Sequence, residues 1–482
     1  MFPAARQIKR SENPMEREPV VLNTAKSENE YRKQFILSGF ELIHFLLSLA
    51  LFFTFWLFFR YGFFQTQAYG YRYNYYITAA YAALLLFFTR TYNAYLFGYS
   101  RIRTLVFGQF ISQFFSLTII YFVVSFAWRK WHSPWIFLGM LGIQLISDVV
   151  WSYFGNKIFF HLNPQRKTLL IYRNAVDRRR LETVKGKPTD RLFRIENEIC
   201  CAGMTFQELR PRLEGYEALF VAGVDSRCRN GIAKYCKENS ITGFFLPHVG
   251  DVIMQEAVHI QSFDAPVLCV KRTSLDPEYR IIKRVFDVAA SIVGLIIASP
   301  VMLLTAIAIR LYDGGPALYR QVRLTKDGKE FRILKFRSMR MDAEKDGVAR
   351  LSTGENDPRI TPVGRLIRKC RVDELPQLFN ILKGDMSFVG PRPERPEIAE
   401  KYCEKMPDFR LRLQVKAGLT GYAQVYGKYN TDPYEKLEFD LLYINHMSVL
   451  TDLQLMFATF GILFKEESTE GIDVGKITAE EE

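Results

Sequence analysis

The residues with the most chemical content lie between Gly364 and Asn380, in the run Gly-Arg-Leu-Ile-Arg-Lys-Cys-Arg-Val-Asp-Glu-Leu-Pro-Gln-Leu-Phe-Asn. Two adjacent carboxylates, Asp373 and Glu374, stand just before Pro376. Proline is tolerated only in the first turn of a helix, so Pro376 marks a helix start. The acid pair is then at or beside the positive end of the helix dipole, where an aspartate stays ionised and phosphates are drawn in. Leu375, Leu378, Phe379 and Leu382 recur with helical spacing, which predicts that they face the core and leave Asp373 and Glu374 off the buried face. Alone, such a pair is an N-cap followed by a first-turn acid. Its neighbours argue for more. Arg368, Lys369 and Arg371 precede it, Arg392 follows in a rigid Pro391-Arg-Pro393 turn, and Lys335 and Arg337 belong to a second basic cluster, Lys335 to Met339. Arginine suits bidentate phosphate binding, although each cluster by itself reads as a solvated charge run. Two carboxylates among several cations, close to an apolar helix, suit phosphoryl transfer with Mg²⁺ and a carboxylate nucleophile.

Those side chains need a scaffold, and the first third of the chain is built for a bilayer. Its 482 residues exceed one ordinary core, and 15% are aromatic, with phenylalanines clustered before residue 165. Apolar stretches near 36–59, 75–98, 104–126 and 135–155 each approach the roughly 20 residues needed to cross a membrane, so a four-helix transmembrane domain is expected over 36–160. Lys and Arg are dense before the first stretch, between the second and third, and after the fourth, which puts both ends of this domain in the cytoplasm. His44, Arg60 and Arg90 read as packed or interfacial residues. The polar segment 1–35 lacks the pattern of a cleavable signal peptide. All seven cysteines follow the apolar region without CxxC spacing and read as reduced thiols; six scattered histidines make no zinc site. A net charge of +13 suits a partner that carries phosphates.

Over 165–272 the pattern predicts a degenerate Rossmann-like α/β domain, with buried parallel strands at Thr168–Tyr172, Ala218–Ala222, Thr242–Leu246 and Pro266–Val270. Its first strand runs into Arg173-Asn-Ala-Val-Asp177, without the glycines that let a backbone approach a pyrophosphate, so a structural or regulatory role is expected there. A fifth apolar run, Val285 to Leu311, is interrupted by Ser299 and Pro300. Cations flank it on both sides, which favours a re-entrant helix over one that crosses. A crossing helix would carry everything after it away from soluble nucleotides. Segments 317–324 and 330–339 predict a hairpin with Asp327-Gly328 at its turn, Asp452 to Phe464 an interfacial helix, and 465–482 a disordered acidic tail.

From about Lys283 to Phe464 the sequence resembles the bacterial sugar transferase family of monotopic phosphoglycosyl transferases, whose large members also carry four spanning helices and an α/β unit. The matching elements are Ser299-Pro300, Asp313-Gly-Gly-Pro316, Lys335-Phe-Arg-Ser-Met339, Asp357-Pro-Arg359, Asp373-Glu-Leu-Pro-Gln377, Gly384-Asp-Met-Ser387, Pro391-Arg-Pro393 and Lys416-Ala-Gly-Leu-Thr-Gly421. The resemblance implies a re-entrant helix and α/β catalytic domain over 280–464. It also implies transfer of a sugar-1-phosphate from a UDP-sugar to undecaprenyl (polyprenyl) phosphate, at the start of exopolysaccharide, capsule or O-antigen synthesis. Asp373 would attack the β-phosphate, release UMP and carry the phosphosugar. Asp373 and Glu374 would hold Mg²⁺, Glu374 assisting as ligand or base, while Arg368 and Arg392 stabilise phosphate charge. The expected setting is the bacterial inner membrane, among its lipids, with the catalytic domain on the cytoplasmic face. One departure stands out: Arg371-Val372 replaces the small hydroxyl residue and leucine usual before Asp-Glu, either altering donor preference or replacing a helix cap.

Rival classes fit less. A nucleic-acid-binding protein would explain the charge but not the acid pair, and no recognition motif occurs. A transporter would need repeated ionisable residues within its spans and internal symmetry. A scaffold with an idle last domain is separable by mutation of Asp373. The middle domain also offers a place for contacts in a homodimer.

Overall fold

The computed structural model describes residues 24–59, 72–129, 131, 133, 135–182, 189–260, 267–272, 277–341, 343, 357, 359–427 and 432–462. The expected tail 465–482, most of the polar segment 1–35, Arg60 and Pro358 lie outside them. The chain divides into two units, one of residues 1–50, 96–102 and 149–246, the other of 51–95, 103–148 and 247–482.

The apolar N-terminal region folds as α1 (Thr24–Phe58), α2 (Arg72–Thr91), α3 (Ile102–Ala127) and α4 (Trp135–Leu162). Helices α1, α3 and α4 are long and apolar enough to cross a membrane, and the fourth such helix is Pro277–Asp313. The predicted second span is shorter than its apolar stretch. Helix α2 stops at Thr91, where turns with Asn93 at φ 49° take over, and Arg72, Asn74 and Arg90 make it more polar. Hydrogen bonds tie the helices where apolar packing alone would leave register loose. Trp56 Nε1 donates to Asn74 Oδ1 at 3.0 Å, Gln113 Nε2 to Asp148 Oδ1 at 2.9 Å, and Gln144 Nε2 to the Tyr81 hydroxyl at 3.1 Å. His44 is buried and stacked on Trp151, as a packed residue should be.

The α/β region contains β1 (Arg166–Tyr172), α5 (Ala175–Glu182), β2 (Phe193–Cys200), α6 (Phe206–Leu209), β3 (Ala218–Ala222), α7 (Ser226–Glu238) and β4 (Thr242–Phe245). Its four strands are parallel in the order β2-β1-β3-β4, the order of flavodoxin-like doubly wound sheets. Strands β1 and β3 read as unbroken apolar runs because both faces are covered. Leu169, Ile171, Leu219 and Val221 pack against α7 residues such as Ile232, while Leu170 and Phe220 pack with Leu181 of α5. Two expectations need correction. Strand β2 was not predicted, because an edge strand alternates exposed charges with its apolar positions. Pro266–Val270 contributes no parallel strand: β5 (Val258–Ile260) and β6 (Val267–Cys269) form a separate antiparallel pair, preceded by α8 (Val249–Gln255). At the switch point between β1 and β3, Gly223 has φ +64°, and a Cβ there would lie 1.8 Å from Asp177 Oδ2. The Asp177 carboxylate occupies the space that a side chain at 223 would need.

The remaining elements are α9 (Pro277–Asp313), β7 (Leu318–Leu324), β8 (Glu330–Phe336), α10 (Pro362–Lys369), α11 (Gln377–Lys383), β9 (Ser387–Val389), α12 (Pro396–Lys405), β10 (Gly418–Thr420), α13 (Tyr422–Tyr426), α14 (Pro433–Asn445) and α15 (Val449–Ile462). The hairpin forms as predicted, β7 antiparallel to β8, with Asp327 and Gly328 both at positive φ. Short α15 is apolar, and its Phe457 is set among Phe87, Phe88 and Phe115 of α2 and α3.

Helix α9, roughly 55 Å long, is the frame of this unit. It stays helical through Ser299-Pro300, so the expected break is not a gap. Pro300 has no N–H for the Ile296 carbonyl, and the Ser299 hydroxyl donates to that carbonyl instead at 2.8 Å. Near its start Lys283 Nζ donates to Asp452 Oδ2 at 2.6 Å, and Arg284 donates to the Ile381 and Leu382 carbonyls at 2.8 Å, closing the C-terminus of α11. Asp287 accepts from the Ser387 hydroxyl and the Phe388 N–H, both at 3.1 Å. Gly294 lets Leu378 seat close on the helix. At the far end Ile309 packs with Phe336 and Ile367, and Asp313 pairs with Arg337.

Asp287→Ala would leave two buried donors without their acceptor, at about 1–3 kcal/mol each. We expect a lower thermal unfolding midpoint for detergent-solubilised protein, with membrane insertion unchanged; an unaltered midpoint would show that this anchor contributes nothing.

Candidate active site

Asp373 and Glu374 lie in a 3-10 turn, Val372–Glu374, between α10 and α11. The helix that Pro376 announces runs only from Gln377 to Lys383, with Pro376 as its N-cap. Arg371 enters the turn at φ 53° and ends the phase of α10 before the carboxylates, and α11 starts in a new phase after its N-cap Pro376. The predicted buried face shifts as a result. Gln377, Leu378, Asn380 and Ile381 point inward, Phe379 is exposed, and Asp373, at 9% exposure, is buried instead of lying off the core. Asn380 is part of the frame: its Oδ1 accepts from Leu334 N–H and its Nδ2 donates to the Arg332 carbonyl, locking α11 to β8.

Strand β8 thereby presents Lys335, whose Nζ is 3.1 Å from Glu374 Oε1. Arg392 brings Nη2 to 3.3 Å of the same oxygen, and Arg371 Nη1 is 3.9 Å from Oε2. Burial pushes the Glu374 carboxyl up, but Lys335, Arg392 and Arg371 overcome it and hold the group well below the ordinary carboxylate range. Asp373 is pushed up to about 6, first by burial and then by the Glu374 charge, with Lys335, Arg368 and Arg392 pulling the other way. The cations are thus spent mainly on Glu374. Burial also pulls the Lys335 ammonium down, against the Glu374 charge that supports it. Asp373 remains the less neutralised of the two acids.

Of the predicted phosphate-binding residues, Lys335, Arg392 and Arg368 converge on this acid pair. Arg337 does not. It is buried and committed to Asp313, with Nη1–Oδ2 at 2.6 Å, and its Nε donates to the Pro316 carbonyl at 2.8 Å. Arg359 pairs with Asp357, and Lys416 donates to the Gly384 carbonyl at 2.8 Å.

Two residues that position the site were missed. Arg412, buried against Phe409, bonds Asp440 at 2.7 Å and donates to the Arg392 carbonyl at 2.8 Å. Arg323 donates to the Pro393 carbonyl at 3.1 Å, and burial pulls its guanidinium down to about 10, still charged. Together they fix the Pro391-Arg-Pro393 turn from behind. In the sequence each is one of several arginines alternating with apolar residues, the pattern of a solvated strand or turn, so nothing marked them.

Among the described residues no group of three or more His, Cys, Asp and Glu side chains could hold a metal ion. The acid pair nevertheless suits Mg²⁺, which is bound through one or two carboxylates when substrate phosphates and water complete its shell. Two adjacent buried carboxylates, one raised by the other's charge, are groups a divalent cation would relieve.

Comparison with known proteins bears on the same residues. A family described as bacterial sugar transferase matches residues 278–466. A Bacillus subtilis (strain 168) protein, provisionally named an undecaprenyl-phosphate N-acetylgalactosaminyl 1-phosphate transferase, is 50% identical over 135 residues, which cover 74% of it and 28% of this chain. The chain belongs to the bacterial sugar transferase family. Two longer relatives are also similar to part of the chain. The UDP-N-acetylgalactosamine-undecaprenyl-phosphate N-acetylgalactosaminephosphotransferase of Aeromonas hydrophila is 41% identical over 186 residues, 38% of this chain and 44% of its own. The UDP-glucose:undecaprenyl-phosphate glucose-1-phosphate transferase of Escherichia coli (strain K12) is 41% identical over 199 residues, 40% of this chain and 42% of its own. The chain therefore spans less than half the length of these two relatives.

The charge balance predicts a pH profile. Activity that requires Asp373 in its ionised form should fall about tenfold per unit below pH 6. Lys335 lowers the Asp373 pKa, so in Lys335→Met the acid limb moves to higher pH. A limb that stays in place would show that Asp373 does not govern it.

Proposed function

We propose that this bacterial sugar transferase moves a sugar-1-phosphate from a UDP-sugar to a polyprenyl phosphate, through a covalent intermediate on Asp373. The observation that carries the reading is the unequal acid pair: Glu374 is neutralised by Lys335 and Arg392, and Asp373 beside it is buried and less fully paired. The Asp373 carboxylate attacks the β-phosphorus. A new phosphorus–oxygen bond forms to the aspartate, the bond from that phosphorus to the bridging oxygen breaks, and UMP departs with the electron pair. A phosphate oxygen of the lipid then attacks the same phosphorus and displaces the carboxylate. Arg392 and Arg368 take up negative charge on the phosphates, and Glu374 orients the site. When bound by Asp373 and Glu374, Mg²⁺ would supply charge neutralisation on the diphosphate.

The names of the relatives support undecaprenyl phosphate as the acceptor and a hexose or N-acetylhexosamine as the sugar. The setting follows from α9. Its outward residues, among them Val285, Ile296, Ile297, Leu304 and Leu311, are exposed and apolar. Both of its ends are nevertheless fastened to the same α/β elements, Asp287 to β9 at one end and Asp313 to Arg337 at the other. A helix that crossed would separate those ends by the roughly 30 Å of a bilayer core. The arrangement supports a re-entrant helix, with the catalytic elements on the cytoplasmic face of the inner membrane, where a soluble donor meets a lipid acceptor.

Full-length protein in detergent, given Mg²⁺, undecaprenyl phosphate and a panel of UDP-sugars, should release UMP with one donor. Asp373→Asn, folded and inserted, should lose about a thousandfold or more of that rate. Release of UDP instead of UMP would sink the mechanism, and an active Asp373→Asn variant would remove Asp373 as nucleophile.

A further inference from the structure

Behind the Pro391-Arg-Pro393 turn lies a cavity of about 820 Å³, within the range of small-molecule sites. Its walls are Leu324 to Gly328 of the hairpin turn, one side of α12 including Ala399 and Cys403, the segment from Phe409 to Val415, and Lys271-Arg272. Arg392 belongs both to this wall and to the acid pair, with Nη2 3.3 Å from Glu374 Oε1. The cavity and the acid pair therefore share one residue, Arg392.

We propose that this cavity takes the nucleoside half of the sugar-nucleotide donor, with the diphosphate held at Arg392 and the transferred phosphorus directed at Asp373. The inference rests on the donor reading above. The chemistry of the wall suits such a ligand. Leu324, Leu411 and Val415 offer apolar surface to a ring face, and the polar side chains on the wall, Thr325, Gln414 and Asn445, are held in place by donating to the Asp385, Leu411 and Val252 carbonyls. Lys271, Arg272, Arg410 and Arg412 join Arg392 on the lining against the carboxylates of Glu256, Asp327, Glu394 and Glu400, which leaves the wall with one net positive charge. The turn carrying Arg392 is preformed, because Arg412 and Arg323 hold its carbonyls from behind. An amphipathic lipid is the other ligand with an anionic head and an apolar body. Among the described residues, however, the lining includes none from α9 or α15, the two apolar helices of the catalytic region. A cavity walled off from the apolar helices is reached from water, which selects the soluble donor.

Half-buried Cys403 on the wall supplies the probe. Full-length wild type and Asp373→Asn in lipid nanodiscs would be alkylated with N-ethylmaleimide and the modified peptides quantified by mass spectrometry, with exposed Cys200 as the internal control. UDP should slow modification of Cys403 about tenfold in both proteins, while glucose 1-phosphate and undecaprenyl phosphate leave it unchanged. Cys403→Trp, which fills the cavity, should raise the donor KM about tenfold and leave the acceptor KM alone. Failure of UDP to protect, in protein that releases UMP, would overturn the cavity while leaving the transferase reading intact. Protection by UDP in protein that releases no UMP would retain the nucleotide site and sink the reaction instead. Protection by undecaprenyl phosphate would overturn the proposal by assigning the cavity to the acceptor. If Cys403→Trp does not fold, the alkylation result decides.

Discussion

Two carboxylates cannot be buried side by side as bare anions, since each raises the other's affinity for protons and both lose their water. The cations around the acid pair answer that constraint, and they answer it unequally. Lys335 and Arg392 share one oxygen of Glu374, and Arg371 approaches the other. Glu374 becomes a fixed anion that holds three cations in place. Asp373 inherits the same field at longer range, and burial together with the Glu374 charge pushes it up to about 6. Each cation arrives on a different element, which is why the hairpin, the proline-bounded turn and the 3-10 turn must all be held in register.

The holding is done largely by polar side chains at the borders of elements. Arg284 satisfies the last carbonyls of α11, Asn380 ties that helix to β8, and Arg412 and Arg323 support the turn that carries Arg392. Buried guanidiniums are costly unless paired, and Arg412 has Asp440 and Glu394 as partners. Helix α9 serves the same end, because anchoring it along its length fixes the distance between the acid pair and the apolar face.

What could be read from the sequence follows from which physical signals are local. The strands buried on both faces, the Asp-Gly hairpin and the apolar helices announce themselves by runs and turn chemistry, and all were legible. Strand β2, at a sheet edge, has no such run. The acid pair was recognisable by type and by its neighbours, but not its burial. The helix start at Pro376 was read correctly, but the helical spacing of Leu375, Leu378, Phe379 and Leu382 was carried back to the carboxylates, which lie in a separate 3-10 turn with its own phase. Arg337 and Lys335 are two residues apart in one basic cluster, yet one closes on Asp313 and the other on Glu374. Proximity in sequence set them together, and the end of β8 at Phe336 separates them.

The departure at Arg371-Val372 is explained by the same turn. A non-glycine residue at φ 53° carries a backbone cost of about 1–2 kcal/mol, so its side chain should have a compensating place. Arg371 makes no side-chain cap bond, which removes the helix-cap reading. Its guanidinium instead extends to Glu374, three residues on, adding a third cation to the anion that two others already hold. Val372 turns the opposite way and packs with Ile309, Phe336 and Ile367, at the junction of α9, β8 and α10. The two positions therefore act on different sides of the acid pair, one on the charge of Glu374 and one on the seating of the long helix. Changing Arg371 should alter electrostatics without loosening the frame, and changing Val372 should do the reverse.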